Sequence, residues 1–76
     1  MEEKFDRKAA SERIRIAVGD DDAHTVSTKT GIGINQVERI LNGTDRMRSA
    51  EPLIRIAKAY NVSVDWIVGH GDQMRR

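Results

Sequence analysis

Cysteine is absent from this 76-residue chain, so no disulfide or thiolate metal site supports the fold. Aromatic residues number three, Phe5, Tyr60 and Trp66, and the core must come from Ile, Val, Leu and Ala. No apolar run approaches the roughly 18 residues of a membrane span, and no signal-peptide pattern opens the chain. A cytoplasmic protein is the expectation. The two histidines, His24 and His70, lie far apart in sequence, so neither a metal site nor a cofactor is expected. No small-molecule ligand is evident. Carboxylates are plentiful, but no pair sits beside an evident cleft, and a chain this short leaves little room for one. An enzyme is not expected.

One sign of charge is also lacking in excess. The net charge is +1, which gives little general support for a polyanionic partner. Residues 1–28 carry five Lys/Arg against seven Asp/Glu, and residues 29–76 carry eight against five. Any electrostatic footprint therefore lies in the second part and acts as a local patch. The run Asp20-Asp21-Asp22 does not have calcium-loop spacing, and helix capping explains it more simply. Asn42-Gly43-Thr44 and Asn61-Val62-Ser63 match glycosylation acceptors only formally, given no secretory signal.

What is present is helical spacing of apolar residues, without repeats, low-complexity segments or strand-like alternation. The pattern predicts five helices. The first spans about Phe5 to Val18, with Ala10, Ile14, Ala17 and Val18 forming one stripe. Gly19 stops it. Asp22 caps a second helix over about Ala23 to Thr30, and Gly31 suits the left-handed residue that ends it. The third runs from about Ile34 to Leu41 and is followed by the turn cluster Asn42-Gly43-Thr44-Asp45. Ser49 caps the fourth, about Ala50 to Tyr60, with Pro52 tolerated in its first turn and Asn61 ending it. Ser63 caps a short fifth helix, about Val64 to Val68, closed by Gly69. The domain is expected over residues 12–69. Residues 1–11 form an extension with the start of helix one, and residues 70–76 form a tail.

Two short helices joined at Gly31, the second of them two-faced, are how a protein presents a helix to the DNA major groove. At about 100° per residue, Ile34, Val37, Ile40 and Leu41 share one arc of the third helix. Asn35, Arg39 and Asn42 lie nearly opposite, flanked by Gln36 and Glu38. Asn can pair bidentately with adenine, Arg with guanine, and an apolar residue such as Ile34 can touch a thymine methyl. Arg46 and Arg48 are candidates for phosphate neutralisation, or else a solubilising loop. Lys29 reads as a complement to the helix-two dipole.

The spacing of Val26, Ser27, Gly31, Ile32, Val37 and Ile40 resembles the helix-turn-helix unit of lambda-type phage repressors and Cro-like proteins. The stretch LIRIAKAYNVSVDWIVG (Leu53 to Gly69) looks like the last two helices of that family. ERIRIAVG (Glu12 to Gly19) is similar to its repressor N-terminal domains. The resemblance covers about Glu12 to Gly69. It implies an all-α, five-helix DNA-binding domain and a dimer on a double-stranded operator. It further implies base reading by Ile34, Asn35, Gln36 and Arg39. Phosphate contacts would come from Asn42, Thr44, Arg46 and Arg48, and from the start of helix two at Ala23 and His24. Three positions depart from the family pattern. Gly33 replaces a Ser or Thr cap, Ile34 stands where a polar reader is common, and Ala23 replaces a frequent Gln. Specificity is therefore expected to rest mainly on Asn35 and Arg39. In helix five, Trp66 is assigned to the core beside Val37 and Tyr60, and some of Ile67, Val68 and the tail to a partner subunit. The competing reading is an antitoxin-like or other protein-interaction module built on the same fold.

Overall fold

The computed structural model describes residues 7–69 and Met74. Its helices are α1 (Arg7–Val18), α2 (Ala23–Thr30), α3 (Ile34–Asn42), α4 (Glu51–Tyr60) and α5 (Val64–Ile67), with no strand among the described residues. This is the expected all-α class. Phe5, His70 and all of the expected tail except Met74 lie outside the described residues.

Local chemistry sets most helix ends. Asp22 accepts the Thr25 amide at 2.8 Å and opens α2. Gly31 closes it at φ 78°, its amide bonded to the Ser27 carbonyl at 2.8 Å. Asn61 ends α4 in the same left-handed region, and Ser63 accepts the Trp66 amide at the head of α5. Ser49 is displaced by one residue from its expected role. The N-cap of α4 is Ala50, whose backbone is already helical, while the Ser49 hydroxyl takes the Glu51 amide at 3.1 Å. α3 extends one residue past Leu41, to Asn42, because Gly43 supplies the left-handed stop.

The core draws on every helix: Ala10, Ile14 and Val18 from α1, Val26 from α2, Val37 and Ile40 from α3, Leu53, Ile56 and Ala57 from α4, and Ile67 from α5. Ile32 and Val62 seal it from the connecting turns. Full burial of one such aliphatic side chain contributes roughly 1.5–3 kcal/mol, so no aromatic is required. Ala10 and Ser11 are buried, so the packed unit reaches back past residue 12.

The expectation for α5 changes at Ile67, while Trp66 packs against the core as expected. Ile67 is 1% exposed and belongs to the core, so it offers no side chain to a partner subunit. Trp66 is half-buried at the core's edge, where the Arg13 guanidinium sits 5.4 Å from the ring centre and donates to the Trp66 carbonyl. Val68 is half-buried, and Met74 returns to pack on the core while its carbonyl accepts the Ser63 amide at 2.6 Å. Val62, in the turn before α5, is buried beside it in the same core.

Candidate nucleic-acid interface

α3 is divided cleanly between two environments. Val37 and Ile40 are each 1% exposed, and Leu41 is half-buried against the core. Asn35, Glu38, Arg39 and Asn42 are exposed, Gln36 is half-buried, and apolar Ile34 remains 38% exposed. Gly33 provides no side-chain cap for the first turn. Two donors from α1 hold the far end: Ser11 Oγ gives a hydrogen bond to the Ile40 carbonyl, and Arg15 gives one to the Leu41 carbonyl. The polar face of α3 is thereby fixed relative to the core.

The turn before α3 is equally constrained. Ser27 Oγ donates to the Ile32 carbonyl, and the Ile32 amide donates to Thr30 Oγ1 at 3.2 Å. Arg55 of α4 reaches the Thr30 carbonyl at 3.4 Å while its Nε and Nη2 hold Glu51. A side chain at Gly31 would meet Arg55 Nη1 at 3.1 Å and strain a φ of 78° as well. α2, a three-residue turn and an exposed polar helix α3 therefore form one rigid helix-turn-helix unit.

A helix-turn-helix family model matches residues 23–67, more than half of the chain. The chain belongs to the lambda repressor-like helix-turn-helix family. No curated protein and no solved structure matches it. The family is one of DNA-binding transcription regulators, and its ligand is double-stranded DNA. The match begins at the first residue of α2 and ends at the last residue of α5. α1 lies outside it, yet supplies both the core stripe and the two donors that brace α3.

Within this helix-turn-helix domain, an open hollow of about 430 Å³ lies beside α3. Gln36 and Arg39 line it together with Thr44, Arg46 and Arg48 from the following loop. Five of the residues expected from the sequence to meet DNA thus share one concavity. Arg46 and Arg48 are exposed and make no ion pair among the described residues. Ile34, Asn35 and Asn42 lie on the same helix without lining the hollow. Ala23 and His24 sit apart at the head of α2, Ala23 half-buried and His24 exposed.

That head of α2 carries negative charge. The Thr25 amide holds the Asp22 carboxyl below the usual carboxylate range. Asp21 is likewise lowered, first by the Lys29 ammonium at 2.7 Å and then by the Tyr60 hydroxyl. Lys29 therefore spends its charge on Asp21 and stacks over Tyr60, 5.2 Å from the ring centre.

Sequence reasoning passed over Asp45, which it read only as part of a turn cluster. Asp45 is 7% exposed and lines the same hollow. Its Oδ1 accepts Arg39 Nε at 3.2 Å, and its Oδ2 accepts the Met47 amide at 2.9 Å. The available signal was the tendency of Asp to accept the backbone amide two residues on, as in an Asx turn. No helix among the described residues is long and apolar enough to cross a membrane.

Proposed function

We propose that this protein is a phage-repressor-type regulator that binds a near-palindromic operator as a dimer. α3 lies in the major groove, which admits a helix. Asn35 and Gln36 are suited to adenine, Arg39 to guanine, and exposed Ile34 to a thymine methyl. Each bidentate pair contributes about 1–3 kcal/mol of discrimination. Asn42, Thr44, Arg46 and Arg48 hold phosphates. Ala23 and His24 are weaker phosphate sites, because Asp22 already occupies that helix end with a carboxylate. The observation that carries this reading is the hollow in which Gln36 and Arg39 meet Thr44, Arg46 and Arg48.

A two-fold pair needs a self-complementary surface. With Ile67 buried, the better candidate is the groove of about 260 Å³ between α4 and α5. It combines Ile54, 42% exposed, and half-buried Val64 with Lys58 and Asp65. An apolar strip with one cation and one anion can pair with its own copy, Lys58 meeting the second copy's Asp65.

Selection from random duplex DNA at about 150 mM salt tests the proposal. The expected product is an inverted repeat with half-sites about 34 Å apart on one face of the duplex. A folded protein that enriches no sequence would instead favour the protein-partner reading.

A further inference from the structure

Asp45 is the one buried carboxylate among the described residues. A carboxylate removed from water is costly unless it is paired and hydrogen-bonded. Asp45 is both. One oxygen takes Arg39 Nε, the other takes the Met47 amide, and the Asp45 amide itself donates to the Arg39 carbonyl at 3.2 Å. Met47 itself has φ 50°, a left-handed conformation uncommon outside glycine. A single carboxylate thus clamps the loop of Arg46 and Arg48 with one oxygen and the α3 guanidinium with the other.

The geometry has a consequence for recognition. A guanidinium carries five N–H donors in a planar fork. With Nε engaged by Asp45, the outer Nη1 and Nη2 groups remain, and the Arg39 side chain is still 53% exposed. That outer fork matches the O6 and N7 acceptors of guanine. We propose that Asp45 is the positioning residue for Arg39, holding the guanidinium ready before DNA arrives. The inference rests on base reading by Arg39. Ordering a long side chain in the free protein reduces the entropy lost on binding. The same carboxylate places a negative charge among Arg39, Arg46 and Arg48, where a polyanion must dock. Asp45 therefore raises base preference and lowers affinity for DNA of any sequence.

These opposite signs separate positioning from a plain structural role. Asp45→Asn is nearly isosteric and keeps an acceptor for the Met47 amide. Sequence selection and binding to random duplex would be measured for the wild type, Asp45→Asn, Arg39→Ala and the double variant. Asp45→Asn is expected to lose about tenfold of the preference at the position that Arg39→Ala also relaxes. Its affinity for random duplex is expected to rise about threefold at low salt. The double variant should be no less selective than Arg39→Ala alone. Equal losses on specific and random DNA would overturn the inference, leaving Asp45 as a loop staple. If Arg39→Ala relaxes a position that Asp45→Asn leaves intact, only the positioning role falls. If Arg39→Ala relaxes no position, base reading by Arg39 falls and the inference with it. Should Asp45→Asn fail to fold, the Arg39 Nε–H resonance of the free wild-type protein decides. Protection from solvent exchange is expected, and rapid exchange would overturn the clamp.

Discussion

The Tyr60 hydroxyl donates to Asp21 Oδ2 at 2.8 Å, across 39 positions of sequence, and Lys29 closes on the same oxygen. This cluster joins the end of α4 to the link before α2 and gives the domain a pH dependence on both sides. Asp21 and Asp22 are lowered from the usual 3.8. Their contribution is complete above that value and is lost as pH falls through their lower folded values. Tyr60 is raised from 10.0, first by burial and then by its bond to Asp21. Its contribution is complete below pH 10 and is lost as pH rises beyond it, because the unfolded chain releases the phenolic proton first. Tyr60 is the only tyrosine, so phenolate absorbance reads it directly. The native protein should titrate above the unfolded one, and Asp21→Asn should narrow the gap. Coincident titrations would show that the cluster does not persist in solution.

Ile67→Ala tests the burial of Ile67 in the core. Truncating a buried isoleucine costs about 2–5 kcal/mol, a large part of the stability of a small domain. Denaturant unfolding should show that loss at every protein concentration. A loss confined to dilute samples would return Ile67 to a subunit interface.

Arg48→Ala should weaken binding to all duplexes alike. The slope of log affinity against log salt should fall by about 0.9 per protomer, with the selected sequence unchanged. An unchanged slope would make Arg48 a solubilising residue only.

The α4–α5 groove makes a prediction about assembly. Lys58→Asp and Asp65→Lys should each weaken self-association in sedimentation, and the double exchange should restore it. Ile54→Glu should leave a monomer that still melts cooperatively, since Ile54 is 42% exposed. Dimers that tolerate all three single changes would place the shared surface elsewhere.

Legibility in the sequence followed the range of the interactions. Asp22, Gly31, Asn61 and Ser63 act on backbone within five residues, so their chemistry can be read from order alone. The faces of α3 were legible for a similar reason, because its apolar residues repeat at helical spacing and leave Asn35, Arg39 and Asn42 opposite. Ser49 was misplaced by one residue because its hydroxyl meets the Glu51 amide either way, and only the Ala50 backbone decides which residue is the cap.

The sequence by itself determined an all-helical domain, the order of its helices, their ends to within a residue or two, and the polar face that α3 exposes. These depend on periodicity and on hydrogen bonds between near neighbours. Tertiary structure decided the rest. It buried Ile67 beside a half-buried Trp66 and made Arg13, Arg15 and Arg55 donors to distant carbonyls. It also placed Asp45 under Arg39. The burial of Ile67 and the arginine bonds depend on where one helix lies against another, and the Asp45 contact on the path of the loop after α3. Short helices such as α5 carry too few residues to fix that orientation, and only packing of the whole core selects it.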